Sequence, residues 1–568
     1  MIVASDRSAA GRRAGVRRTD ARHRLRQART RPIRGRHAQT HDGGHGGRSR
    51  TADDSAPDVI LRARRVPGHT PLTRTGPLAG VARRGAAVSA VTLVLVQGIS
   101  FGTTLVLARL LSPAEVGLFA AGTILSGFLT MFVESGMKNA LVQRRDDVED
   151  AADTVFWATL VGGVLVALLA LAAAPLVGLL FRSDLAAEIA AVTAGLFVLQ
   201  ALTIAPDAIM VRRFDTTRRL VIDPIRSVVF GATAIGCAVA GLGVWALVIG
   251  TYASALVWLL GSWSLARWLP GRGASVRLWR ELGRFGLPIL VLSLSWRVRA
   301  MAQTALLGRT LGESALGQYR YGSRLGELPR TAVIQVGAFA ILPAFSRISD
   351  DAQRFRRGFV QAMRWSWVLA APVTGLIVAL GEPAVVVLLG ERWREAGTFL
   401  VASAAIAACV GLHEVCGEAI KAAGASTRLH WISVIVLVAG LGLLVALLPL
   451  GLLGVGLAAS ATEILITVAS LVLARRIVGF PLRDLVPLLA PAAVATVVAT
   501  GLVGSFEWLT GHSDRLPVGW GILQLTGLTL AFAAVYVLVL RVLDPPTVRQ
   551  LVATVRSKLP GGMVPDRT

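Results

Sequence analysis

The chain has 568 residues, 54% of them apolar and only 16% charged, with a formal net charge of +25 and a mean hydropathy of +0.62. Soluble domains run near 45–50% apolar and about 25% charged, so the composition excludes an ordinary soluble enzyme or binding module. It also sets aside a nucleic-acid partner, and makes the position of the positive residues relative to the apolar runs the informative quantity.

Residues 1–85 carry twenty Arg and six Asp, with neither Lys nor Glu, among Gly, Ser, Thr, Pro and His. Such a stretch cannot bury a core and reads as a disordered, Arg-rich cytoplasmic tail, either solvated or touching anionic headgroups. No apolar run follows the first arginines until Ala86, unlike a secretory signal peptide. His37, His41 and His45 have metal-like spacing, but their Gly-rich setting offers no preformed geometry, and no metal site is assigned.

From Ala86 onward the chain divides into apolar windows of about twenty residues, the length a helix needs to cross a bilayer core. Six are expected near 86–108, 116–137, 154–180, 187–210, 225–241 and 243–266, and six more near 285–307, 317–342, 360–380, 396–420, 430–448 and 452–474. Two further spans fall near 485–505 and 521–541. The expected fold is therefore an all-α integral membrane protein of about fourteen transmembrane helices. Its parts are an N-terminal lobe over 86–284, a C-terminal lobe over 285–480, an added helix pair over 481–545 and a tail over 546–568.

With the N-terminus inside, the inner loops hold twenty-two Lys and Arg, against six in the outer ones: Arg109, Arg182, Arg309, Arg392, Arg394 and Arg515. That bias predicts a multi-pass protein of the cytoplasmic membrane with both termini cytoplasmic.

The two halves repeat one another. LARLLSPAEVGLF (107–119) returns as LGRTLGESALGQY (307–319), Pro175 pairs with Pro383, and GLGVWALV (241–248) matches LLGVGLAA (452–459). Six spans is an even number, so both copies start on the same side, as in parallel transporter repeats, and two such lobes would face each other across a central cavity. In the repeated phrase, Gly117 and Gly317 suit close helix packing or a turn. Arg109 and Arg309 suit anchoring at headgroups.

RLLSPAEVGLFAAG, ESGMKNALVQR, GLGVWALVIG, RFGLPIL, LLGRTLGESALGQYRYGSRLGELP, ILPAFSRI and LLGERW together resemble the polysaccharide-export (Wzx-type) branch of the multidrug/oligosaccharidyl-lipid/polysaccharide flippase superfamily. The resemblance runs from about Gly85 to Phe480. It implies a flippase that moves a polyprenyl-diphosphate-linked oligosaccharide, a surface-polysaccharide precursor, to the outer face by rocking of two lobes. A polysaccharide polymerase and export machinery are implied partners. The family often has an acid before the Gly-Arg of the seventh helix; here the position reads Gln303.

Charges inside spans are costly and mark function by default. Arg297 and Arg299 lie mid-span in the seventh helix; Arg320, Arg324 and Glu327 share a face of the eighth, with Arg330 beyond. Guanidinium groups match phosphate oxygens with paired hydrogen bonds, so these six are the candidate substrate site for a lipid diphosphate, the arginines holding it and Glu327 keeping them apart or offering a release partner. The alternative for Glu327 is pairing with Arg324 and Arg330 within its helix, and for Arg320 a surface anchor. Glu134, Asp207, Glu414, Glu418 and Glu463 are candidates for coupling to a proton or sodium gradient, or equally members of interfacial salt bridges. Pro206, Pro329 and Pro372 interrupt spans, and bent or broken helices often line transport paths, but each alone reads as an ordinary kink.

Cys237, Cys409 and Cys416 fall within spans and read as packing residues. No phosphate-binding loop, zinc-protease or nucleophile-elbow motif is found, so no cofactor is expected and the drive is a gradient, the membrane potential or product consumption. Rival readings are a peptidoglycan-precursor (lipid II) flippase, a multidrug or cation exporter, and a membrane glycosyltransferase or polymerase. An exporter of cations would favour an acidic, aromatic cavity, and an enzyme a sizeable loop.

Overall fold

A computed structural model of the chain describes residues 77–558, except 135, 145–146, 214–215, 272, 349–350 and 511–512. Within its helices the side chains of 77–91, 216–219, 285–293, 295–296, 328–344, 346–348, 426, 430, 482, 551–552 and 554–558 lie outside the description. His37, His41 and His45 lie outside the described residues altogether.

Among the described residues the chain is helical, without strands. The first six-helix set comprises α1 (Pro77–Leu110), α2 to α4 (Pro113–Gly122, Ile124–Glu134, Met137–Gln143), α5 (Val148–Phe181), α6 and α7 (Asp184–Thr193, Gly195–Arg212), α8 (Thr216–Val239) and α9 (Trp245–Ala266). The second comprises α10 (Val276–Ile348), α11 (Ala352–Leu389), α12 and α13 (Arg394–Ala402, Ala405–Ala422), α14 (Ser426–Leu447) and α15 (Gly451–Val478). α16 (Leu485–Leu509), α17 (Val518–Leu543) and α18 (Pro545–Lys558) complete it.

Ten helical stretches of the described residues are long and apolar enough to cross a membrane, or eleven if the bent pair Glu391–Ala402 and Ala405–Ala422 is one span. One stretch, Thr427–Val478, covers 52 residues and holds two of the expected spans. The charged α10, which covers the expected seventh and eighth spans, is not among them. The chain is thus a multi-pass membrane protein, and the expected total of fourteen is not reached by length and composition alone.

The loop expected between the seventh and eighth spans shrinks to Gly312, whose φ of 87° and ψ of 178° interrupt α10. A glycine takes that backbone without a steric penalty. The two arms fold back on one another, since Arg299 before the break and Glu327 after it line one cavity. α7 runs through Pro206 and α11 through Pro372, as a kink and not a break would allow. α10 likewise continues over Pro329. The breaks come at Thr123, Ala194 and residues 403–404 instead.

Two boundaries also move. α1 starts at Pro77, a residue suited to the first turn of a helix, so the tail ends earlier than expected. The expected tail after 545 begins as α18, started by Asp544, which accepts from the Thr547 hydroxyl at 2.7 Å. Val548 of α18 joins the apolar cluster that binds α16 and α17 to α11.

Connections alternate between two faces. The basic face carries the breaks at Arg144, Arg267 and Asp351; the opposite face carries Leu111–Ser112, Arg182–Ser183, Gly312 and Gly390. α2 opens on the opposite face with a capping box, Ser112 N–H donating to the Glu115 carboxylate at 2.7 Å. From there it packs on the second arm of α10, glycine against glycine. Two apolar clusters close the lobes together at this end. One joins Ala121 and Phe181 to Leu307 and Leu316, the other Leu107 and Leu111 to Leu389 and Trp393.

Candidate functional site

The six candidate binders do not form one cluster. Arg297 and Arg299 stand two residues apart, so a helix of 3.6 residues per turn sends them in opposite directions. Arg297 turns to the N-terminal lobe, donating to the Gly127 carbonyl at 2.7 Å and lying 3.4 Å from the Glu134 carboxylate. Arg324 also crosses between lobes and donates to the Ser100 hydroxyl of α1. The two arginines thus span two separate seams, α3 with the first arm of α10 and α1 with the second.

Arg299, Arg320 and Glu327 line a cavity of about 340 Å³ inside the C-terminal lobe, with Gln303, Tyr319 and Glu463. The side chain of Arg330 lies outside the described residues. In the N-terminal lobe a second cavity, of about 580 Å³, is lined by Thr92, Ser100, Asp223, Arg226, Ser227 and Ser254 among others. Arg226 sits 4.3 Å above the Trp258 ring and 3.8 Å from Asp223. Because Ser100 lines this cavity, Arg324 reaches it from the other lobe. Each lobe therefore holds an arginine among hydroxyl and carboxylate groups, a lining able to bind an anion or a polyol.

The acidic candidates divide as well. Asp207, 3% exposed, pairs with Lys138 of α4, and Glu418 pairs with Lys421 at 2.7 Å; both are salt bridges between or within helices. Glu414 lies 3.6 Å from the ring of its neighbour His413. Glu463, 6% exposed, lies 2.8 Å from His413 Nδ1, linking α15 to α13 at the wall of the C-terminal cavity. His413 is not among the residues that the sequence singles out. Its signal was its place beside Glu414 within an apolar helix.

Arg109 and Arg309 are more than anchors. Arg109 donates to the carbonyls of Val387 at 2.7 Å and Leu388 at 3.2 Å, the last turn of α11 in the other lobe. Arg309 donates to the carbonyls of Leu179 and Leu180, both at 3.1 Å, the last turn of α5. These carbonyls lie four and five residues after Pro383 and after Pro175, so the two clasps are equivalent. A cation there meets both orphan carbonyls and the negative end of the helix dipole. Trp393 adds an indole hydrogen bond to the Ala108 carbonyl at 2.8 Å. The opposite face is thereby closed.

A family described as Polysaccharide biosynthesis protein matches residues 106–398. The succinoglycan biosynthesis transport protein ExoT of Rhizobium meliloti (strain 1021) is 29% identical over 349 residues, 61% of this chain and 70% of ExoT. The lipopolysaccharide biosynthesis protein WzxC of Escherichia coli (strain K12) is 22% identical over 319 residues, 55% of this chain and 63% of WzxC. Among solved structures, the lipid II flippase MurJ in an inward closed conformation superposes with a TM-score of 0.66 at 14% identity, over 82% of this chain and 99% of MurJ. That likeness shows a shared fold. With the family match covering half of its length, the chain belongs to the polysaccharide biosynthesis protein family of membrane transporters.

Proposed function

We propose that the chain flips a polyprenyl-diphosphate-linked oligosaccharide across the cytoplasmic membrane by alternating access of its two lobes. The observation that carries this reading is the pair of arginines, Arg297 and Arg324, that cross between the lobes from the interior of α10. A diphosphate cannot cross hydrocarbon uncompensated, and a seam arginine released from Glu134 or Ser100 offers charge where the lobes part. The names of ExoT and WzxC, a transport protein and a biosynthesis protein of surface polysaccharides, support it. In this reading the basic face is cytoplasmic, as are both termini, and a polymerase and export machinery act downstream. His413 and Glu463 are the group that couples movement to a proton or sodium gradient.

The test is the sidedness of lipid-linked glycan in cells lacking the gene. Precursor held on the inner leaflet with loss of a surface polysaccharide is expected. Normal crossing together with sensitivity to cationic drugs would replace this reading with that of an exporter.

A further inference from the structure

A third cavity, of about 770 Å³, opens on the basic face between α5, the inner end of α3 and the start of α10. Its walls are almost entirely apolar: Phe132, Trp157, Val161, Leu165 and Trp279 contribute most of them. Exposed apolar side chains are ordinary on a membrane protein; a concave slot of them bordered by arginines is not. Two arginines, Arg280 and Arg284, stand one turn apart on its rim. Apolar depth with a cationic rim, at the level where a helix leaves the membrane, matches a lipid bearing a phosphate headgroup.

The link between the lobes packs against α5 beside the slot. Trp157 donates from its indole to the Gly271 carbonyl at 2.9 Å, and Gly271 N–H donates to Asp153 at 2.9 Å. Ser275 N–H donates to the Thr154 hydroxyl at 3.1 Å. A Cβ at Gly271 would stand 2.3 Å from the Asp153 carboxylate, which would have to turn aside. The slot also lies on the same seam as Arg297. Phe132 and Val133 line it, and the next residue, Glu134, is the partner of Arg297.

We propose that this slot takes the isoprenoid tail of the polyprenyl diphosphate, with Arg280 and Arg284 receiving the diphosphate before it moves along α10 to Arg297. The seam between α3 and the first arm of α10 is then the lateral portal for substrate. This rests on the flippase reading and adds where the lipid is taken up. Thirteen residues separate Arg284 from Arg297, about 20 Å of helix, so the headgroup advances while the tail stays in the slot.

The experiment uses the full chain in nanodiscs and a polyprenyl diphosphate carrying a photoreactive group at the tail end, without sugar. Labelling of 157–165 and 276–284 is expected, falling about tenfold in Leu165→Trp, which fills the slot, and in Arg280→Gln with Arg284→Gln. Labelling near Arg297 but not in the slot overturns the portal and leaves flipping intact. No labelling anywhere overturns both. Equal displacement of the probe by phosphatidylglycerol overturns the proposal in favour of a site for bulk anionic lipid.

Discussion

Gly117 and Gly317 face each other across the two lobes, backbone against backbone. A Cβ on Gly117 would stand 1.8 Å from the Glu313 carbonyl oxygen, and one on Gly317 1.9 Å from that of Pro113. Neither glycine has a positive φ, so it is contact and not backbone conformation that requires them. Alanine at either position pushes α2 from α10. The expected cost is about 1–3 kcal/mol to the state closed on the opposite face. Thiol labelling of a cysteine introduced beneath the contact should speed up in both variants and remain slow in the parent.

The clasps predict a graded effect. Arg109→Gln or Arg309→Gln each removes charged hydrogen bonds to helix-end carbonyls, about 1–2 kcal/mol apiece at this exposure. The double substitution should open the opposite face further than either single one, read by the same labelling. If the singles are silent and the double is too, the clasps do not hold the lobes.

Arg297 and Glu134 can be separated by exchange. Arg297→Ala should abolish export at normal protein abundance, and Arg297→Lys should retain part of it. Exchanging the charges, Glu134→Arg with Arg297→Glu, should keep abundance normal without restoring export. Full export from the exchanged protein would show that the pair serves only to hold the seam.

For coupling, Glu463→Gln should slow flipping and flatten its response to an imposed pH gradient in proteoliposomes, with His413→Gln acting in the same direction. Lys138→Met with Asp207→Leu, which replaces an ion pair by apolar groups, should leave that response unchanged.

Arg394 joins three carboxylates: Glu391 at 2.7 Å, Glu382 at 2.9 Å and Asp514 at 2.6 Å. It ties the loop before α17 to α11 and α12. Arg394→Ala should loosen α16 and α17, lowering stability by about 1–2 kcal/mol, with faster hydrogen exchange there than in α5.

Much of this architecture could be read from the chain. Apolar windows mark the helices, because a lipid-facing backbone has no other way to satisfy its amides, and Arg placement marks the two faces. The repeat located Gly117 and Gly317 before their contact was visible. What stayed hidden was direction. Arg297 and Arg299 look alike in sequence, yet one turns to Glu134 and the other into the C-terminal cavity. Arg226 reads as a loop charge, yet lines the N-terminal cavity beside Trp258. The interruption between α6 and α7 falls at Ala194, which carries no mark of it in the sequence.

The clasps are also related to one another by the internal repeat. Arg109 grips the other lobe's third helix, and Arg309 grips the first lobe's at the same register, the pattern by which two copies of one surface meet around a two-fold axis. In a six-helix chain pairing with itself, one codon would have specified both grips, and any change would have struck both at once. Joined in a single gene, the two are inherited separately. They have already diverged: only one is reinforced by a tryptophan, Trp393 bonded to Ala108, while at the matching place Phe181 rests against Gly308.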